Sequence, residues 1–93
     1  MKVHVFVYEH RHGTDLSVHR SEELAIESAA AVAREWWEEA CQQDKTLPQR
    51  PPSADAEAIR LYFEAQEGFE FHQIRCCELE EGATAQTGAL AEA

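Results

Sequence analysis

The sequence predicts an α+β domain in which two helices pack on one face of a three-stranded antiparallel sheet. Two short segments near the start alternate apolar and polar residues, a long amphipathic segment follows, and a proline-rich break separates it from a second helix and a last strand. The element order is therefore β-β-α-α-β. Because the first strand is apolar on both faces, we expect it in the middle of the sheet, which gives the strand order 2-1-3.

The first strand is expected at residues 2–9, where β-branched and aromatic residues are frequent. Its two faces carry Val3, Val5 and Val7 on one side and His4, Phe6 and Tyr8 on the other. Gly13 can adopt positive φ in the turn that follows. A second strand is expected at residues 15–20, with Leu16 and Val18 facing the core, so that the two strands form a hairpin.

A long amphipathic helix is expected at residues 21–43, with Ser21 as its N-cap. At about 100° per residue its apolar side chains form a continuous arc. The arc consists of Ala25, Ala29, Val32, Trp36 and Ala40 along one edge, and of Ile26, Ala30, Ala33, Trp37 and Cys41 beside them. The two tryptophans lie on opposite shoulders of this arc. We expect Trp36 in the core and Trp37 partly exposed.

The three prolines fall within residues 44–52, which cannot continue a helix. Ser53 is expected to cap the second helix and Gly68 to end it. Residues 69–79 are expected to form the third strand.

One domain is expected at residues 1–81, followed by a flexible tail at residues 82–93 that is mostly small and polar. Eighteen acidic residues against eight basic ones give the chain a formal net charge of −10. Such a charge repels nucleic acid and anionic membranes and favours basic partners. Phosphate contacts need clustered Lys and Arg, which are scattered here. We therefore expect no direct nucleic-acid partner and no membrane partner.

The chain has three cysteines, Cys41, Cys76 and Cys77. Adjacent cysteines do not readily reach disulfide geometry, and the odd count fits a reducing cytoplasm. Since neighbours on a strand point to opposite faces, at least one of Cys76 and Cys77 is expected to be buried and inert. No apolar run is long enough to span a bilayer.

The candidate metal ligands are His10 and His12, two residues apart in the first turn, and the nearby Asp15. No further pair of ligands at metal-binding spacing supports them, so we expect no metal and no cofactor. The sequence also lacks a nucleophile elbow, a glycine-rich phosphate loop and the spacing of a catalytic triad. We predict a non-enzymatic protein and nominate no catalytic residue.

Acidic residues cover the polar side of the first helix, including Glu35, Glu38 and Glu39. The simpler interpretation is a solvated helix face. The functional interpretation is a surface that competes with nucleic-acid phosphates for a basic groove, with Trp37 as an apolar anchor. Glu35, Glu38, Glu39 and Trp37 are thus the predicted partner-binding residues.

Two blocks, VYEHRHGTDLSVH at residues 7–19 and VAREWWEEA at residues 32–40, resemble a type of small acidic reading frame carried by bacterial plasmids, phages and integrated elements. This resemblance implies an accessory function against host defence, and anti-CRISPR inhibitors are similar in size and charge. The expected function is inhibition of a CRISPR-type, nucleic-acid-binding host protein by occupation of its basic surface. The alternatives are a small metal- or ligand-binding regulatory domain that uses the histidine-rich hairpin, or a toxin–antitoxin accessory protein.

The apolar arc of the first helix spans about 180°, which is wider than a small sheet needs to cover. The two outer strands also leave open sheet edges. Both features favour a two-fold homodimer, and Trp37, Cys41 and Tyr62 are the predicted centre of its interface.

Overall fold

The computed structural model of the protein describes residues 1–79 of the 93-residue chain. Its elements are β1 (Lys2–His10), β2 (Gly13–His19), α1 (Glu22–Glu35), α2 (Trp37–Gln43), α3 (Asp55–Ala65) and β3 (Phe71–Glu78). The strand β1 pairs antiparallel with both other strands, and the sheet order is β2-β1-β3. The predicted α+β class and strand order are confirmed. The tail predicted at residues 82–93 lies outside the described residues.

The long helix predicted at residues 21–43 is two helices, because the chain turns at Trp36. Its backbone has φ −101° and ψ 10°, so α1 ends at the preceding residue and α2 begins at the next one. The burial of the two tryptophans is the reverse of what was expected. Trp37 is only 2% exposed, whereas Trp36 is 43% exposed. Trp37 lies four residues after the buried Ala33 and continues that edge of the helix, whereas Trp36 lies four residues after the half-buried Val32.

Helix capping agrees with the sequence at α1 and differs at α3. The Ser21 hydroxyl accepts a 3.2 Å hydrogen bond from the backbone N–H of Leu24, as an N-cap does. Ser53 was expected to cap α3, but the N-cap residue is Ala54, which makes no side-chain cap hydrogen bond. Gly68, with φ +89°, lies in the turn between α3 and β3, where that backbone favours glycine.

Arg34 holds the segment that enters α3. Its guanidinium donates to the carbonyl oxygens of Pro52 at 3.3 Å and Ser53 at 3.0 Å. It also forms a 2.7 Å ion pair with Asp55. The start of α3 is therefore held by Arg34 of α1. The Ser53 side chain makes no capping hydrogen bond there.

The core lies between the helices and one face of the sheet, the face that carries Phe6 and Tyr8. The helices contribute small and large side chains to it, namely Ala25, Ala29, Ala30, Ala33, Trp37, Ala40, Ile59, Tyr62 and Phe63. Four alanines of α1, Ala25, Ala29, Ala30 and Ala33, are fully buried, and their small size lets this helix pack closely. Tyr62 is 1% exposed and is the largest of the fully buried side chains.

The opposite face of the sheet carries no helix among residues 1–79. The apolar side chains of β2 lie on this open side and not, as expected, on the core side. Leu16 and Val18 were expected to face the core but are 56% and 64% exposed. The register pairs Leu16 with Val7 and Val18 with Val5. Directly paired residues share a face, so both side chains lie on the valine face, whereas the helices pack on the face of Phe6.

Cys76 and Cys77 are both exposed, so the expectation that one of them is buried was wrong. They lie on β3, an edge strand whose residues are mostly exposed on either face. All three cysteines are free thiols. Within residues 1–79, no helix is long and apolar enough to cross a membrane.

Candidate binding groove

A groove of about 770 Å³ opens where the hairpin, the junction of α1 with α2, and the turn before β3 meet. Its wall carries four carboxylates and several aromatic rings but a single arginine, Arg11. We call it the acidic groove, and its principal residues are Asp15, Glu35, Trp36, Glu39, Phe69 and Glu70.

The turn at Trp36 positions one wall of the acidic groove. Glu35 and Glu39 are four residues apart, on either side of the turn, and both line the groove together with Trp36. Glu38 is exposed but is not part of this wall. Two of the three predicted partner-binding glutamates are thus brought together, and the third is not. The aromatic residue beside them is Trp36 and not the predicted Trp37.

Trp37 belongs to the interior. Its indole Nε1 donates a 2.9 Å hydrogen bond to the carbonyl oxygen of Pro48, and the Sγ of Cys41 donates to the same oxygen at 3.3 Å. Tyr62 is buried beneath the helices. The sequence analysis predicts Trp37 and Tyr62 at the centre of a dimer interface. Both side chains are instead enclosed by their own chain and are not available to a second copy. The loop after α2 covers Trp37, and the helical pattern of the sequence does not indicate this contact.

Glu70 lies in the groove wall and is fixed by two phenols. The hydroxyls of Tyr8 and Tyr62 each donate a 2.8 Å hydrogen bond to its Oε1. Burial, and after it the hydrogen bond to Glu70, raises the pKa of both tyrosines well above the ordinary value of 10.0. Both phenols therefore stay protonated donors at neutral pH and do not act as bases. Sequence reasoning missed this cluster, because Tyr8 and Glu70 are 62 residues apart in the chain.

The candidate metal ligands of the hairpin are only partly assembled. His10 Nε2 lies 2.9 Å from Asp15 Oδ2, and His10 Nδ1 accepts a 3.2 Å hydrogen bond from the backbone N–H of His12. Both ring nitrogens of His10 thus have partners inside the hairpin. Across residues 1–79, no group of three or more His, Cys, Asp or Glu side chains is arranged to hold a metal ion.

Comparison of the chain with family models, curated proteins and solved structures finds no significant match. The resemblance to reading frames of mobile elements therefore stays a prediction.

The helical layer around the groove is strongly negative. The three helices carry nine acidic residues and two arginines. Both arginines are engaged, Arg34 with Asp55 and Arg60 with Glu57 and Glu64. Among the described residues, no cation forms an ion pair with Glu35, Glu39 or Glu70. Their charge is consequently available to a ligand.

The groove also offers aromatic surface beside these carboxylates. Trp36 is 43% exposed and Phe69 is 78% exposed. An aromatic face attracts a Lys or Arg side chain within about 6 Å of the ring, and a carboxylate adds charge-assisted hydrogen bonds. The arrangement is suited to binding a cationic side chain.

Proposed function

We propose that the protein is a non-enzymatic binding protein whose acidic groove accepts a Lys or Arg side chain from the basic surface of a partner protein. The observation that carries this proposal is the combination, in one groove, of unpaired carboxylates with exposed aromatic rings. Either feature alone is common on protein surfaces. Together they match the two halves of a guanidinium or ammonium side chain, its charged head and its apolar stem.

The groove residues have different parts in this proposal. Trp36 stacks against the cationic group of the partner, and Glu35 and Glu39 accept its hydrogen bonds. Glu70, held by its two tyrosines, supplies a fixed negative charge that needs no reordering when the partner binds. The negative helical layer increases the rate of encounter with a basic surface.

The partner class that we propose is a protein whose basic surface normally binds nucleic acid. Occupying that surface excludes the phosphates both sterically and electrostatically. A CRISPR-type effector is the first partner to test, because the sequence resembles accessory frames of mobile elements. The free state of all three cysteines supports the cytoplasm as the proposed location.

The groove is tested directly with an arginine-rich peptide as the probe. We expect Glu35→Gln/Glu39→Gln to raise the peptide Kd by about tenfold, which corresponds to the loss of two charged contacts. Glu27→Gln/Glu38→Gln is the matched control, since it removes the same charge from exposed helix positions outside the groove. If both double variants weaken binding equally, the protein attracts cations by net charge alone and the groove proposal is wrong.

The inhibitory function needs a separate experiment. A DNA-binding CRISPR effector is titrated with the protein, and the fraction of bound DNA is measured at low and at high salt. Wild type is expected to displace DNA, less so at high salt, and the Glu35→Gln/Glu39→Gln variant is expected to do so poorly. If DNA binding does not change, that effector is not the partner, whereas the peptide experiment still decides whether the groove binds cationic side chains.

A further inference from the structure

We propose that the face of the sheet opposite the helices is the interface of a two-fold homodimer. We call it the open face, and its apolar residues are Val3, Val5, Val7, Leu16, Val18 and Phe71. This surface is on the other side of the sheet from the acidic groove, whose sheet residues Tyr8 and Asp15 lie on the helix face. The proposal is therefore independent of the proposed function.

The register shows that these side chains form one patch. Val7 pairs with Leu16 and Val5 pairs with Val18 across β1 and β2, and Glu9 pairs with Phe71 across β1 and β3. Directly paired residues on antiparallel strands have their side chains on the same face. The patch is uninterrupted across β1 and β2, and β3 extends it with Phe71 at one end while Gln73 and Arg75 lie beside Val7 and Val5.

The open face is accessible in the single chain. Leu16, Val18 and Phe71 are 56%, 64% and 55% exposed, and none of residues 1–79 covers them. With strands about 4.8 Å apart and a rise of about 3.3 Å per residue, the face measures roughly 14 by 23 Å. The largest exposed apolar patch of a soluble monomer commonly measures a few hundred Å² and is often a functional surface.

The charges of the open face identify a second copy as the occupant. Within the three strands, this face carries one anion, Glu9 on β1, and one cation, Arg75 on β3. Neither residue forms an ion pair among residues 1–79. The face is therefore neutral in a chain whose net charge is −10, and it offers no surplus charge to a basic or an acidic partner.

The positions of these two charges make the face complementary to itself. Arg75 pairs with Val5, and Glu9 is four residues further along β1, so Val7 lies between the two charges. A two-fold axis that lies in the plane of the interface, runs across the strands and passes near Val7 exchanges the levels of Glu9 and Val5. Each Glu9 then comes close to Arg75 of the second copy. The two sheets then stack about 10 Å apart, as in other sheet-on-sheet packings. The acidic helices stay on the two outer sides, which keeps their mutual repulsion low.

The size of the face determines the strength of association. An interface made of one small sheet face is at the lower end of the areas found in stable complexes. We therefore expect a dimer that dissociates on dilution.

Sedimentation equilibrium of the full chain tests the proposal over concentrations from about 5 to 500 µM. The apparent mass is expected to rise from that of one 10.5 kDa chain toward that of two. Leu16→Lys should raise the dissociation constant at least tenfold, because it buries an unpaired ammonium in the interface. Leu24→Lys is the matched control, since it makes the same change at a residue of α1 that is 44% exposed. A wild-type chain that stays monomeric throughout overturns the proposal.

Charge reversal tests the symmetry of the interface. Glu9→Arg and Arg75→Glu should each weaken association, because like charges then face each other, and the double reversal should restore it. Neither side chain contributes to the core, so all three variants are expected to fold, which circular dichroism checks. If the dimer persists in Leu16→Lys and in both single reversals, the chains associate through another surface and the open face is not the interface.

Discussion

Tyr62 and Glu70 are joined by a 2.8 Å hydrogen bond that connects α3 to the residue immediately before β3. The same carboxylate oxygen accepts a second 2.8 Å bond from Tyr8 on β1. One carboxylate therefore satisfies two nearly buried phenol donors and, at the same time, contributes negative charge to the acidic groove. Glu70 connects the stability of the fold with the surface that we propose to bind a partner.

Removal of this carboxylate should be costly. We expect Glu70→Ala to lower the free energy of unfolding by about 2–3 kcal/mol, because two buried hydroxyls lose their acceptor. Tyr62→Phe should cost about 1 kcal/mol, since it removes one hydrogen bond and leaves no donor unpaired. Urea denaturation measures both. The control is Glu67→Ala, at an exposed residue of the same turn, and an equal loss there would contradict the role assigned to Glu70.

The stability of the protein should fall at alkaline pH. Both tyrosines of the chain belong to the Glu70 cluster, and their pKa is raised in the folded state from the ordinary value of 10.0. The folded state therefore binds protons that the unfolded state releases above pH 10. The contribution is fully present below that pH and is lost as the pH rises further.

Tyrosinate absorbance measures this effect. The native protein should show little tyrosinate at about pH 10.5, whereas the chain in denaturant should titrate near pH 10. The variant Tyr8→Phe/Tyr62→Phe is the control and should lose the alkaline dependence of stability that the phenols cause. A native titration with its midpoint near 10 would show that the phenols are neither buried nor hydrogen-bonded to Glu70.

The two tryptophans should differ sharply in their contribution to stability. Trp37→Ala is expected to cost about 3–5 kcal/mol, because it opens a cavity in the core and leaves the carbonyl of Pro48 without its indole donor. Trp36→Ala should cost less, about 1–2 kcal/mol, since that residue is 43% exposed and buries only part of its ring. Thermal or urea unfolding distinguishes them. The opposite order would mean that Trp36 is the core residue, as the helical pattern alone suggests.

Arg34 should matter more to the fold than Arg60 does. Arg34→Gln is expected to lower the free energy of unfolding by about 1–2 kcal/mol, because the chain entering α3 loses two carbonyl contacts and the ion pair with Asp55. Arg60→Gln removes only exposed pairs within one helix, which contribute little. Equal effects of the two substitutions on urea denaturation would contradict the role assigned to Arg34.

Part of the acidic groove could be predicted from the sequence. Glu35 and Glu39 were identified because helical spacing places residues four apart on one side. Trp36 and Trp37 both lie on the apolar arc of the helical pattern, and the pattern does not indicate which edge of the arc the rest of the chain covers. Glu70 could not be assigned, because its hydroxyl partners come from β1 and α3.

The order of the strands and of the helical regions, the central place of β1 and the start of α1 at Ser21 could be predicted from the sequence alone, whereas the division of the first helical region at Trp36 could not. The predictable features depend on short-range physics: alternation along a strand, the capping of free N–H groups and the inability of proline to continue a helix. Tertiary structure decided which tryptophan is buried and on which face of the sheet Leu16 and Val18 lie. Those outcomes depend on which surfaces distant segments cover, and an amphipathic pattern records that a side chain is apolar without recording what will pack against it.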